Sequence, residues 1–261
     1  VPRRAEALSF TVVAEGGEDR YPVEGEQGEA PEESCHADGC GEVMTLYDLH
    51  THTTMTDGEM LPIELVRRLS VLGYSTVAIT DHADSTNLHE LLTSLQRLVP
   101  AAKEYGVTLL PGVELTHVPP SHIPGLAKEA KAHGARVVVV HGETTMEPVA
   151  AGTNRAACGC DEVDVLAHPG LITAEDAELA GVHQVALEIT SRGGHNRTNG
   201  HVVQMARSSG CQLVIDSDAH APGDLLDIRA KNLVGRGAGL DQDQCSHILS
   251  LNIQEWLLRR K

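Results

Sequence analysis

From about residue 43 onward, short apolar runs rich in Val, Ile and Leu alternate with longer stretches in which apolar residues recur at helical spacing. Seven runs read as strands, at residues 45–49, 76–80, 108–110, 136–140, 163–167, 184–189 and 212–215. Between them the spacing predicts helices over 62–72, 87–105, 123–133, 173–180 and 198–209. Gly73, Gly106, Gly134, Gly181 and Gly210 follow these helices, where a left-handed cap position favours a residue without Cβ. Strand, helix, glycine, strand is a βα repeat, and continuous apolar strands belong to a parallel sheet covered by helices. No glycine-rich phosphate loop follows the first strand, which weighs against a nucleotide-binding open sheet. The expected fold class is therefore α/β, a seven-stranded TIM-like barrel over residues 43–261.

The first 42 residues break the pattern. They hold eleven Asp/Glu against three Lys/Arg, so about half of the net charge of −17 sits in the first sixth of the chain. Such a segment buries little and is expected to be an acidic, Gly/Glu-rich N-terminal arm outside the barrel, with short strands conceivable at 8–13 and near Tyr21. The charge also disfavours a long duplex nucleic acid as partner. No run of about 18 apolar residues occurs and the N-terminus lacks a basic-then-apolar signal, so a cytoplasmic protein without membrane contact is expected. Six cysteines, Cys35, Cys40, Cys158, Cys160, Cys211 and Cys245, are too sparse for a disulfide framework and read as reduced thiols. Cys158 with Cys160 reads as a loop, and Cys35-His36 with Cys40 as too weak a cluster for a metal. The composition is unusual in one respect, 15 His beside one Trp, one Phe and four Tyr.

Set against the strand list, the histidines fall into order. His50 and His52 follow the first run with Asp57 five residues on; Asp81-His82 follows the second, Glu114 the third, His141 the fourth, His168 the fifth, and Asp218-Ala-His220 the seventh. In a βα barrel the C-terminal strand ends converge on one face, so residues distant in sequence meet there. In extended backbone, residues i and i+2 point the same way, so His50 with His52, and Asp218 with His220, can each reach one ion. His50, His52, Asp57, His82, Glu114, His141, His168, Asp218 and His220 give nine N/O donors, too many for one tetrahedral ion and suited to two or three. Glu114 or Asp218 is the natural bridging carboxylate.

The segments Asp-Leu-His50-Thr-His52-Thr, Thr-Asp81-His82, Gly-Val-Glu114, His141, Ala-His168-Pro-Gly and Ser-Asp218-Ala-His220 resemble the four-motif signature of the PHP (polymerase and histidinol phosphatase) family, over about residues 45–222. The resemblance implies a distorted (β/α)7 barrel and a trinuclear centre of Zn, Mn or Fe that hydrolyses phosphoesters, with the nine residues above as ligands. Some members carry His near the place of Asp57. The first 42 residues have no counterpart in the minimal family pattern.

Chemically, divalent ions lower the pKa of a bound water, polarise phosphoryl oxygens and offset the charge of an in-line displacement, so no nucleophilic Ser or Cys is required. Asp81 and His117 are candidates for the acid that protonates the leaving oxygen, and Asp81 can alternatively orient His82. Lys103, Lys128, Lys131, Lys231 and Lys261 all fall on or beyond predicted helices, so arginine is expected to hold the phosphate. The loop after the sixth strand, the one strand end without an assigned donor, offers Arg192, His195 and Arg197 with Gly193 and Gly194. Specificity is expected to lie in the loops 116–125, 142–154 and 192–199. His89, His133, His183 and His247 read as surface residues, while His122 and His201 stay undecided.

The favoured function is thus a phosphoesterase with two to three divalent ions, acting on a small phosphomonoester of histidinol-phosphate or nucleotide type. A nuclease trimming short single-stranded ends keeps the same chemistry, although few aromatic residues are present to stack bases. An amidohydrolase-type enzyme would be expected to bridge its metals with a strand-end lysine, which the chain lacks. A non-catalytic relic would be expected to have lost ligands, yet all nine positions are filled.

Overall fold

The structure, a computed structural model, describes residues 46–259; the acidic arm and the Cys35–Cys40 cluster lie outside the described residues. Eight strands form, β1 Leu46–Asp48, β2 Tyr74–Ile79, β3 His82–Ala83, β4 Thr108–Leu115, β5 Val137–His141, β6 Val165–Ala167, β7 Ala186–Thr190 and β8 Leu213–Asp216. Every pairing between them is parallel, in the order β1-β2-β4-β5-β6-β7-β8, with short β3 added beside β4. The two ends of this path meet beyond the regular strands: His50 O accepts from Asp218 N and Ala219 O from His52 N, both at 2.9 Å. The sheet is thus a nearly closed seven-stranded barrel, as the βα repeat predicts.

The helices are α1 Pro62–Val71, α2 Leu88–Glu104, α3 Ile123–Ala132, α4 Thr153–Cys158, α5 Ala174–His183, α6 Asn199–Ser209, α7 Ile228–Gly237, α8 Gln242–Leu249 and α9 Ile253–Arg259. Five match the helical spacing of the sequence to within a turn. Helices α4, α7, α8 and α9 are too short or too polar in pattern to be read from it. Gly73, Gly106, Gly134 and Gly210 do take the positive φ of caps, but Gly181 lies inside α5 and Gln184 adopts the left-handed cap at φ 57°. Cys158 ends α4 and is buried, where a loop was expected.

The strand period of two divides the core. Val138 and Val140 face outward into the helix layer, while Val137 and Val139 join Tyr47, Ala78, Leu110, Val165, Ala186 and Val214 inside the barrel. Ile253 and Leu257 of α9 pack against this inner set. Continuing the inward parity past the last apolar residue gives His82 from Ala78, Glu114 from Leu110, His141 from Val139, Glu188 from Ala186, and Asp216 then Asp218 from Val214. The same alternation that fills the barrel with small and branched residues therefore aims its polar residues at one end. Among the described residues no helix is long and apolar enough to cross a membrane.

Candidate metal centre

All nine strand-end donors converge. His50, His52 and Glu114 are completely buried, and His141, His168 and Asp218 nearly so. Glu114 occupies the middle: Oε1 lies 3.4 Å from His50 Nε2 and 3.6 Å from His168 Nε2, Oε2 3.8 Å from His52 Nε2 and 2.6 Å from His82 Nδ1. Asp218 faces it, 3.3 Å from His52 Nε2, 3.7 Å from both His50 Nε2 and His168 Nε2, and 3.4 Å from His220 Nδ1. Asp57, half-exposed at the mouth, reaches His82 Nε2 at 3.4 Å and His220 Nε2 at 3.3 Å.

Backbone constraints hold this geometry. His117, His168 and Asp218, all non-glycine residues at the site, take φ of 55°, 28° and 52°, which is strained backbone of the kind that collects at functional sites. The loop from His52 to Asp57 is pinned by Asp81, whose carboxylate accepts from Thr53 N at 2.8 Å and from the hydroxyls of Thr53 and Thr56 at 2.7 Å. Gly58 folds back so closely that a Cβ there would stand 2.7 Å from the His52 carbonyl. Asp81 thus touches the threonines of the neighbouring loop; no hydrogen bond from it to His82 is formed.

Several imidazoles have one nitrogen committed, which fixes the tautomer and leaves the other lone pair facing the centre. His50 Nδ1 donates to Glu188 Oε1 at 2.7 Å, His141 Nδ1 to the Gly142 carbonyl at 3.2 Å, and His220 Nδ1 to the Asp218 carbonyl at 3.0 Å. His50 Nε2 and His52 Nε2 then stand 3.0 Å apart. Glu188, which also accepts from His168 N at 2.8 Å, was not singled out from the sequence; the parity of β7 is the signal that could have found it.

The charges are strongly coupled. Burial disfavours a charged His50, but Glu188, Asp218 and Glu114 outweigh it and hold the ring well above the usual histidine range. Burial and then the adjacent His50 hold His52 well below that range. Glu114 is kept ionised by His50 and His82 despite its burial, whereas burial pushes Asp218 up. Burial also opposes charge on His82, yet Glu114 and Asp57 push it up to about 9.

This donor set fits divalent cations. Four groups each bring their ligand atoms within 4.8 Å of one another: His52, Asp57, His82 and His220; His50, His52 and Glu114; His50, His168 and Asp218; and His141, His168 and His195. His52 Nδ1, Glu114 Oε1, His168 Nδ1 and His195 Nδ1 are buried with no hydrogen-bond partner among the described residues, a cost that a cation at the centre would offset at Glu114 Oε1 and at whichever ring nitrogens it binds. The groups share His50, His52 and His168 and so form one arc, in which His50, its Nδ1 held by Glu188, has only Nε2 to give and can serve one of its two groups at a time.

The residues assigned to substrate and acid lie differently. His195 falls inside the fourth group, its ring centroid 4.4 Å from that of His168. Arg192 is half-buried and donates to Asp224 at 3.2 Å; the same Asp224 oxygen accepts from His220 N and Ala221 N. Arg197 is exposed on the turn beyond it. His117 stands at the rim with its Nε2 3.2 Å from Glu147 Oε1, while Glu147 Oε2 is 3.3 Å from His141 Nε2. Together with Thr56, Asp57, Asp84 and Thr116, these rim residues line a cleft of about 420 Å³.

Two residues before the ligand pairs of β1 and β8 lie Asp48 and Asp216, both completely buried. Asp48 Oδ1 accepts from His50 N at 3.3 Å and Ser217 N at 3.2 Å, and Asp216 Oδ1 from Leu49 N at 2.8 Å, so each carboxylate ties one end of the sheet to the other. Lys231 of α7, which the sequence places beyond the last predicted helix, is completely buried. Its ammonium donates to the Tyr47 carbonyl, lies 3.7 Å from Asp48 Oδ2, and sits 4.9 and 5.2 Å from the ring centroids of Tyr47 and Tyr74.

Comparison with known proteins agrees with this architecture. A family model described as the PHP domain matches residues 48–205. An uncharacterized protein of Methanocaldococcus jannaschii is 47% identical over 82% of this chain and 99% of its own length. Ribonuclease P protein component 3 of Methanosarcina barkeri is 27% identical over 78% of this chain and 85% of its own. The crystal structure of histidinol phosphate phosphatase from Lactococcus lactis, complexed with zinc, L-histidinol and phosphate, shares the fold with a TM-score of 0.52 at 15% identity, covering 76% of this chain and 95% of that one.

Proposed function

This chain belongs to the PHP-domain family, a family of metal-dependent hydrolases, and from that premise we propose that it hydrolyses a small phosphomonoester with two to three divalent ions, Zn, Mn or Fe. The observation that carries the reading is the linked arc of four donor groups, which has room for more than one ion and contains a buried carboxylate, Glu114, at its centre. Divalent ions held there would supply Lewis acidity toward phosphoryl oxygens and a water of lowered pKa.

The protein's own residues have separable tasks. Glu188 and the carbonyls of Gly142 and Asp218 orient three imidazoles, so their donor nitrogens are set before any ion arrives. Asp81 holds the loop that carries Asp57 to the mouth. Arg192, with one N–H engaged by Asp224, has further donors in its guanidinium for a phosphate oxygen. His117, whose Nε2 lies 3.2 Å from Glu147 Oε1 at the rim, would serve as the acid for a departing oxygen. Asp57, Asp84 and, from the specificity loop 142–154, Glu147 crowd the cleft mouth with carboxylates, which favours a compact substrate over a long polyanion.

Nuclease activity is the second reading, favoured by the similarity to a ribonuclease P component along most of both chains. Elemental analysis of purified protein, paired with phosphate release from a panel of phosphomonoesters, separates the two. Two to three ions per chain with chelator-sensitive phosphate release supports the phosphatase. Bound metal with release only from short RNA or DNA ends supports the nuclease. One ion or none, unrestored by added metal, overturns both.

A further inference from the structure

We propose that His195 is a protein ligand of one of these ions, completing with His141 and His168 a three-imidazole site. The proposal rests on the metal-dependent reading above and adds a residue from outside the strand ends. His195 lies on a short 3₁₀ turn, His195–Thr198, after β7, the strand end that offered no donor in sequence. Its ring centroid is 4.4 Å from that of His168 and 6.0 Å from that of His141, and one donor atom of each ring lies within 4.8 Å of the other two.

Hydrogen bonding agrees with a ligand. His195 Nδ1 is buried and has no hydrogen-bond partner among the described residues, and His168 Nδ1 shares that condition. A buried ring nitrogen without a partner is costly, and an ion between the rings would remove the cost wherever it takes that nitrogen. His141 already gives its Nδ1 proton to the Gly142 carbonyl, which leaves Nε2 as the ligand atom, where an ion would take the place of the 3.3 Å contact with Glu147 Oε2.

The turn is built to bring the ring inward. Gly194 takes φ 91°, a backbone conformation that favours glycine, and lies against the Met146 side chain. The Asn199 side chain clamps the end of β7, donating to Thr190 O at 2.8 Å and accepting from Thr190 N at 3.3 Å. His195 is thereby fixed from both sides rather than carried on a free loop.

Charge gives the site its chemistry. Each of the other three groups contains a carboxylate, Asp57, Glu114 or Asp218; the group of His141, His168 and His195 contains none. Three neutral imidazoles would add no negative charge to a bound divalent ion, and the nearest carboxylates, Glu147 at 3.3 Å from His141 Nε2 and Glu114 at 3.6 Å from His168 Nε2, belong to the rim and to the neighbouring group; three protein ligands with a further position for solvent or substrate is the arrangement used by catalytic zinc. The open position would take an anionic oxygen, and Arg192, three residues before His195, lies on the same segment. The ligand class is therefore a phosphate or phosphate-ester oxygen.

The test uses the full chain, stripped of metal and titrated with Zn²⁺, with ion number and affinity read by elemental analysis and calorimetry. His195→Ala should lose one ion, or bind one ion at least about tenfold more weakly, and leave the remaining ions unchanged. His141→Ala should affect the same ion, and the double variant should lose no second one. Binding of inorganic phosphate to the loaded protein should fall with that ion. His195→Gln, of similar volume, carries the same test if the alanine variant does not fold. Unchanged ion number and affinities in His195→Ala, with only phosphate binding or KM altered, would overturn the proposal while leaving the metal-dependent reading intact. Absence of bound Zn²⁺ in the parent protein would overturn both.

Discussion

Two polar layers lie two residues apart along β1 and β8, and they meet the cost of buried charge in opposite ways. In the lower one, Lys231 supplies a single internal cation, 3.7 Å from Asp48, its ammonium enclosed by the Tyr47 carbonyl and two tyrosine rings. Burial and then Asp48 push Asp216 well above the usual carboxylate range, against the opposing pull of Lys231. In the upper one, Glu114 and Asp218 face histidines, two of which, His52 and His168, keep a buried Nδ1 without a hydrogen-bond partner, and among the described residues no Lys or Arg pairs with either carboxylate. A layer that carries its own cation is a fastening of the barrel. A layer that lacks one is suited to take cations from solution.

The two layers should therefore respond differently to substitution. The largest effect is expected for His52→Ala or Asp218→Ala, which should remove metal and reduce hydrolysis at least about a thousandfold, a loss comparable to that of a principal catalytic group. Near-normal turnover in a variant shown by elemental analysis to lack metal would sink the metal-dependent mechanism. Lys231→Met should act on stability, because it strands buried carboxylates; the expected cost is about 3–5 kcal/mol, or roughly 6–20 °C in Tm. Adding Asp48→Asn should recover part of it, and a Tm within about 2 °C of the parent for Lys231→Met would remove the fastening role.

Glu188→Gln sits between the layers in character. It keeps the volume of β7 but weakens the grip on His50 Nδ1, so metal affinity should fall about 10–100-fold with little change in Tm. Calorimetric titration with Zn²⁺ decides this, and an unchanged affinity would reduce Glu188 to a packing residue. Arg192→Ala should be milder, leaving metal content intact and raising KM about tenfold with kcat less affected. A loss of metal in that variant would show that its contact with Asp224, and through it the turn at His220, matters more than any contact with phosphate.

Most of the barrel and all nine strand-end donors were legible in the chain, because both follow from local rules: apolar runs of strand length, glycine caps, and the gathering of C-terminal strand ends on one face; inward parity accounts for His82, Glu114, His141 and Asp218, while His50, His52 and His168 lie one residue off it. Glu188 obeys that parity, but the stronger sequence signal at this strand end is the loop after β7, whose arginines and glycines point to phosphate. Gly181 misled because a cap is a conformation, and Gln184 takes it one turn boundary later.

Lys231 and His195 belong to a different class. No periodicity marks a lysine in a polar-looking helix as the counter-charge to Asp48, 183 residues earlier, nor a histidine in a glycine-rich turn as a neighbour of His141 and His168. The sequence by itself determined the repeat, the face on which the chemistry gathers and the residue types available to it. Only the tertiary structure decided which charges neutralise one another and which donors remain unpaired, because those outcomes depend on distances across the barrel that no local interaction specifies.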